Sequence, residues 1–132
     1  MDTRWKRSNH SVYNCGFHLI WTSKYRRTVL IDGVDVRLKE LLLQKAKEHD
    51  WHIEKMEVMP DHVHIFIKVT PTDAPAFVVS QLKGFSSFTL RNEFPSLKSR
   101  LPTLWTRAFY CESVGHISEA TIKKYIDDQK NV

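Results

Sequence analysis

The 132-residue chain predicts an α+β fold of ferredoxin-like (RRM-like) type, an antiparallel sheet with two helices on one face. Three observations predict it. Strand-like and helix-like periodicities follow one another in the order β-α-β-β-α-β, with a further helical stretch at the end. The two middle strands are separated by little more than Pro60 and Asp61, which demands a hairpin. The apolar share is 42% and the charged share 27%, values of an ordinary globular chain. At this length the chain has room for one hydrophobic core, so residues 1–132 are expected to form a single domain.

Residues 1–11 are polar and basic and read as a loose arm. "SVYNCGFHLIWTSK" is rich in β-branched and aromatic residues and reads as the first strand. "YRRTVLIDGVD" supplies a basic loop and a turn at Asp32-Gly33. Asp35 is the expected N-cap of a helix whose apolar stripe is Leu38, Leu41, Leu42, Leu43 and Ala46. "WHIEKMEVMP" and "HVHIFIKV" form the hairpin. Asp73 is expected to open the second helix, with Pro75 in its first turn. Phe77, Val78, Leu82, Phe85, Phe88 and Leu90 mark its apolar face, and Gly84 in that face suggests a close approach. "NEFPSLKSRLP" reads as a loop, "TLWTRAFYCESVG" as the fourth strand. Ser118 caps a last helix over 118–130.

Composition narrows the function classes. Lys and Arg total 20 against 15 acids, a net charge of +5 that suits a polyanionic partner. The two cysteines, Cys15 and Cys111, form no CxxC pair, so zinc ribbons and thioredoxin chemistry are excluded. Free thiols fit a reducing cytoplasm. There is no signal-like apolar stretch at the start and no run near the ~18 apolar residues that span a membrane.

The stretch "PDHVHIFIKV" carries the chemistry. Side chains of a strand alternate between faces, so His62, His64 and Phe66 share one face and Val63, Ile65, Ile67 and Val69 the other. The branched set belongs under the helices, which puts both imidazoles on the sheet face that the helices leave open. Two neutral imidazoles side by side make half of a divalent-metal site. Asp61 is placed to orient one of them. The spacing alone is more often that of two surface histidines. In the terminal helix Tyr125 and Gln129 are four apart and share a face. A tyrosine nucleophile titrates near 10 when free, so it needs a polarised phosphate or a base beside it.

Taken together, "HLIWTSKYRRTVL", "VMPDHVHIFIKV", "LKGFSSFTLRNEFP" and "SVGHISEATIKKYIDDQ" resemble the single-tyrosine HUH transposases of the small insertion sequences, the IS two-hundred and six-hundred-and-five group. The likeness runs from about His18 to Gln129 in the family's order. It implies a metal-dependent enzyme that cleaves and rejoins single-stranded DNA at hairpin-bearing element ends through a 5′-phosphotyrosine. By the resemblance Tyr125 is the nucleophile, and His62, His64 and Gln129 hold Mg²⁺ or Mn²⁺. No nucleotide cofactor is implied, and no P-loop string occurs. The family also implies a homodimer, in which the Tyr125 helix serves either its own histidines or its partner's. Gly115 stands where a hinge for that helix would be.

Candidate DNA contacts are Lys24, Arg26 and Arg27 in the basic loop, with Lys83, Arg91, Lys98, Arg100 and Arg107 as further, unranked candidates. Trp21, Tyr25 and Trp105 are candidates for base stacking or for the core. Rival readings are a domesticated relative that nicks host palindromes, a water-using metal phosphohydrolase, and a non-catalytic single-strand-binding module. The RRM aromatic string is missing, which weighs against the last.

Overall fold

In the computed structural model, residues 6–7, 12–114, 124 and 126–127 are described. Strand β1 (Lys6–Arg7) pairs with β2 (Val12–Tyr13) in a small antiparallel ribbon, so the expected loose arm contains a strand. The main sheet has four antiparallel strands: β3 (Cys15–Thr22), β4 (His52–Met59), β5 (His62–Val69) and β6 (Tyr110–Val114). Their order is β4-β5-β3-β6, which is the ferredoxin-like arrangement the sequence predicts. Helices α1 (Val34–Glu48) and α2 (Pro75–Glu93) cross over between them, followed by a short α3 (Pro95–Arg100).

One face of the sheet carries the core. Leu19 and Trp21 of β3, with Val63, Ile65, Ile67 and Val69 of β5, are buried against Leu38, Leu41, Leu42 and Ala46 of α1 and Val78, Val79, Leu82 and Leu90 of α2. Trp21 and Trp105 meet edge to face within this cluster, their ring centroids 5.9 Å apart. Trp105 donates its indole N–H to Ser86 Oγ. Both tryptophans are therefore core residues and are not offered to bases. Tyr25 is the exposed one of the three.

Several local expectations are corrected. Gly33, at φ 97°, is the N-cap of α1, and Asp35 lies inside the first turn, its carboxylate accepting from the Gly33 N–H. Leu43 and Phe88 are exposed and lie off their helices' buried stripes. Gly84 is exposed, and a Cβ there would meet nothing within 4 Å, so it mediates no close approach. Residues 95–100 are helical because Pro95 is preorganised for a first helical turn. The fourth strand is shorter than expected. Trp105 leaves the sheet, making one isolated bridge with Ser23, because its side chain is taken into the core. Cys15 and Cys111 are free and half-buried, and burial pushes both thiols up.

Asp73 also departs from the expected cap. Ala74 is the N-cap of α2, and the Asp73 carboxylate turns back to accept from the Thr70 hydroxyl (2.7 Å), the Thr70 amide and the Trp51 indole (2.8 Å). Burial pushes this carboxyl up, but the bonds from Thr70 and Trp51 outweigh it and leave it below its ordinary range. A lowered acid stabilises the fold above its unfolded pKa, and that contribution fades as pH falls through the folded value. Asp73→Asn should therefore cost about 1 kcal/mol near neutrality. The deficit should shrink under acid, as read from urea midpoints at pH 7 and pH 3.

Candidate functional site

β5 enters the sheet from the Pro60-Asp61 turn, with His62 and His64 as its first and third residues. Across the ladder His62 faces Thr22, His64 faces Ile20, and Phe66 faces His18. On the other side Met59, Glu57 and Lys55 stand opposite the same three β5 residues. Directly paired residues point to one face, so these side chains form the open surface of the sheet. Glu112 and Tyr110 of β6 extend it, opposite His18 and Ile20, and the Tyr110 hydroxyl donates to Glu112. Both imidazoles are half-buried, as the alternation predicts.

The two histidines are held differently. His62 Nδ1 is 2.8 Å from Asp61 Oδ1. With the ring donating there, its Nε2 keeps a lone pair. The bond from His62 holds the Asp61 carboxyl below its ordinary range; burial pushes it up, and the nearby Arg26 guanidinium lowers it further. Arg26 reaches the second oxygen, Asp61 Oδ2, at 3.3 Å. His64 has its Nε2 3.1 Å from Nδ1 of His18. His18 is the site residue that the sequence reading passed over. Its only signal was a histidine in the first strand at the parity of the open face, and that parity counts only once β3 is known to lie beside β5.

The basic loop is bound tightly to this corner. The amide and hydroxyl of Ser23 both donate to the Asp61 carbonyl, and the hydroxyl also donates to the Arg27 carbonyl. Lys24 N donates to the Leu104 carbonyl. The chain then passes through left-handed backbone at Tyr25 (φ 58°) and Arg26 (φ 51°), a costly conformation for side chains of this size. Arg26 and Arg27 emerge exposed and Lys24 half-exposed, with Lys24 Nζ 5.2 Å from the Tyr25 ring centre.

The other expected cations are placed elsewhere. Lys83 donates to the Thr106 carbonyl at 2.5 Å and more weakly to those of Arg107 and Ala108, and burial pushes its ammonium down. Arg91 donates to the Leu101 carbonyl. Both tie helix α2 to the segment that leads into β6. Lys98, Arg100 and Arg107 are exposed. Tyr125, Gln129, Gly115 and the cap Ser118 lie outside the described residues. Lys124, Ile126 and Asp127 are helical and exposed.

The donor chemistry fits a divalent ion in part. His62 offers Nε2, and His64 offers a second imidazole nitrogen on the same strand face. Among the described residues, no group of three or more His, Cys, Asp or Glu side chains stands together as a complete cage. No helix among them is long and apolar enough to cross a membrane.

Comparison with known proteins agrees in both sequence and fold. ISDra2 transposase TnpA of Deinococcus radiodurans is 37% identical over 126 residues, covering 94% of this chain and 90% of that protein. The transposase for insertion sequence element IS200 of Salmonella typhimurium is 28% identical over 122 residues, 91% of this chain and 80% of that one. A crystal structure from Deinococcus radiodurans R1, described as a transposase, superposes with a TM-score of 0.78 at 35% identity, covering 94% of this chain and 97% of its own. A REP-associated tyrosine transposase bound to a REP hairpin shares the fold at a TM-score of 0.59 and 13% identity, over 93% of this chain and 67% of that one. The family model for IS200-like transposases matches residues 11–129, nearly the whole chain, and the chain belongs to that family of DNA-transposing enzymes.

Proposed function

We propose that this transposase cleaves and rejoins single-stranded DNA at the ends of its insertion sequence, with Tyr125 as nucleophile and His62, His64 and Gln129 as ligands of a divalent ion. The carrying observation is the pair of imidazoles on the open sheet face, His62 with its Nδ1 committed to Asp61 and its Nε2 left over. Mg²⁺ or Mn²⁺ suits a site of imidazole and amide oxygen with room for phosphate oxygens. When bound, such an ion supplies Lewis acidity at the scissile phosphate.

The protein's own residues do the rest. The Tyr125 oxygen attacks phosphorus, the P–O3′ bond breaks, and the phenolic proton passes to solvent while the leaving 3′-oxygen takes one up. The 5′-phosphotyrosine conserves the bond, so a later 3′-hydroxyl can displace Tyr125 without a nucleotide cofactor. Asp61 keeps the His62 ring in one tautomer. Arg26, next to Asp61 and 73% exposed at its side chain, is the cation best placed to meet a phosphate near the pair, with Lys24 and Arg27 beside it. The family resemblance also supports a homodimer. Two sheet edges, β4 and β6, are unpaired within the described residues and are natural places for a second copy to add on.

The direct test is covalent capture. Protein is incubated with Mn²⁺ and single-stranded DNA hairpins taken from the sequences flanking the gene. A denaturation-resistant protein–DNA adduct bearing one strand end on Tyr125 is expected. Cleavage that proceeds with no adduct would point to a water nucleophile and sink this reading. His62→Ala and His64→Ala should each lower metal-dependent cleavage by about a hundredfold or more while thermal unfolding stays cooperative. EDTA should do the same to the unaltered protein, and Mn²⁺ in excess should restore it.

A further inference from the structure

The two histidines of the open face differ in what supports them, and that difference identifies a further residue. His62 leans on a carboxylate from its own turn. Among the described residues, the one side chain hydrogen-bonded to His64 is His18, from the neighbouring strand and 46 residues away in sequence. The His18 and His64 ring centres are 5.2 Å apart with planes inclined at 43°. The His18 ring is itself braced: it stacks on Phe66 at 5.1 Å and 29°. Phe66 can lie there because residue 16 is glycine. A Cβ on Gly16 would stand 2.9 Å from Phe66 Cε2, closer than such atoms approach. Gly16, Phe66, His18 and His64 thus form a continuous line of support across the sheet.

Proton counting shows which direction of the His18–His64 bond is compatible with ligation by His64. A neutral imidazole has one N–H and one lone pair. If His64 Nε2 accepted from His18, the His64 proton would sit on Nδ1 and no lone pair would remain for a ligand. If His64 Nε2–H donates, Nδ1 keeps its lone pair, and His18 carries its own proton on Nε2. Only the second arrangement leaves His64 able to ligate while the contact persists. It also gives the two ligands one logic, since a metal-binding imidazole usually donates its other N–H to a fixed acceptor. For His62 that acceptor is Asp61.

Resting on the metal reading above, we propose that His18 is the positioning residue of the pair: its Nδ1 accepts the Nε2–H of His64 and so holds that imidazole with Nδ1 turned free for the divalent ion. In this role His18 need touch neither DNA nor the reacting atoms. It acts through His64, and its ring is kept in place by Phe66.

The test uses the full-length protein and Mn²⁺. Two-bond ¹H–¹⁵N spectra of ¹⁵N-labelled, metal-free protein read which nitrogen of His64 is protonated; Nε2 is expected. His18→Phe keeps an aromatic ring against Phe66 but removes the acceptor. It should scramble the His64 tautomer and weaken Mn²⁺ binding by roughly 10–100-fold, measured from the free-Mn²⁺ electron resonance signal. His18→Asn, whose amide oxygen can accept the same N–H, should recover most of the affinity. Rescue by Asn but not by Phe separates positioning from mere packing, and the wild-type tautomer decides the matter even if the Phe variant folds poorly. His64 protonated on Nδ1 would overturn the proposal, as would a folded His18→Phe protein that binds Mn²⁺ as tightly as wild type. Failure of the wild-type protein to take up any Mn²⁺ would instead remove the metal reading, and the proposal with it.

Discussion

Tyr125→Phe is expected to bring strand cleavage down by at least about a thousandfold while hairpin binding stays within a few-fold of wild type. The substitution deletes one oxygen and keeps the ring. If that oxygen forms the bond to phosphorus, its removal takes away the nucleophile. The covalent adduct should vanish together with the cleavage. Binding is expected to be separable, because the proposed phosphate contacts Arg26 and Arg27 belong to another element. A Tyr125→Phe protein that nicks the hairpin near the wild-type rate would mean that the nucleophile is elsewhere. Mixing this variant with His64→Ala then addresses the dimer. Activity returns if each Tyr125 helix serves its partner's histidines, since one composite site is then intact, and stays absent if each serves its own.

Val63→Asp should unfold the protein, although Val63 lies between the two histidines in sequence. Val63 is fully buried and faces Trp21 on one neighbouring strand and Val58 on the other. An unpaired carboxylate there costs several kcal/mol, a large part of the ~5–15 kcal/mol that holds a domain of this size together. Far-UV circular dichroism and urea titration would read the loss directly. The comparison with His64→Ala is what gives the result its meaning. One residue along the strand, a deletion should leave cooperative unfolding nearly where it was. If Val63→Asp folded normally and His64→Ala did not, the faces of β5 would be assigned the wrong way round.

The parity of β5 was legible because period-two alternation is a local property and the branched residues on the odd positions are unambiguous. The order of elements was legible for the same reason, and the ferredoxin-like topology followed from it. What the sequence could not show were neighbours set by long-range register. Nothing in "GFHLIW" says that His18 comes to rest beside His64, or that Gly16 makes room for Phe66. Caps were misread at Asp35 and Asp73 because an acidic residue near a helix start has several hydrogen-bonding choices, and both took another one. Lys83 and Arg91 read as candidate DNA contacts; in the fold each donates to backbone carbonyls of the segment before β6, an arrangement that only the folded path of that segment creates. Trp105 looked like a strand residue because aromatics favour strands, but burial beside Trp21 outweighed pairing.

The sheet order bears on how the molecule assembles in time. β4 and β5 are joined by two residues, Pro60 and Asp61, and such hairpins close in about 1–10 μs. β3 is different: it must find β5 across an intervening helix and hairpin, and β6 must then return from the far end of the chain to pair with β3. Contacts of that separation form slowly, since loop closure has to be achieved before they contribute. The hairpin therefore presents His62 and Asp61 together early, whereas His64 gains His18 only when the first strand of the main sheet docks. The imidazole signals of His62 and His64 should consequently reach their native positions at different stages of refolding, and the interval between them measures the arrival of β3.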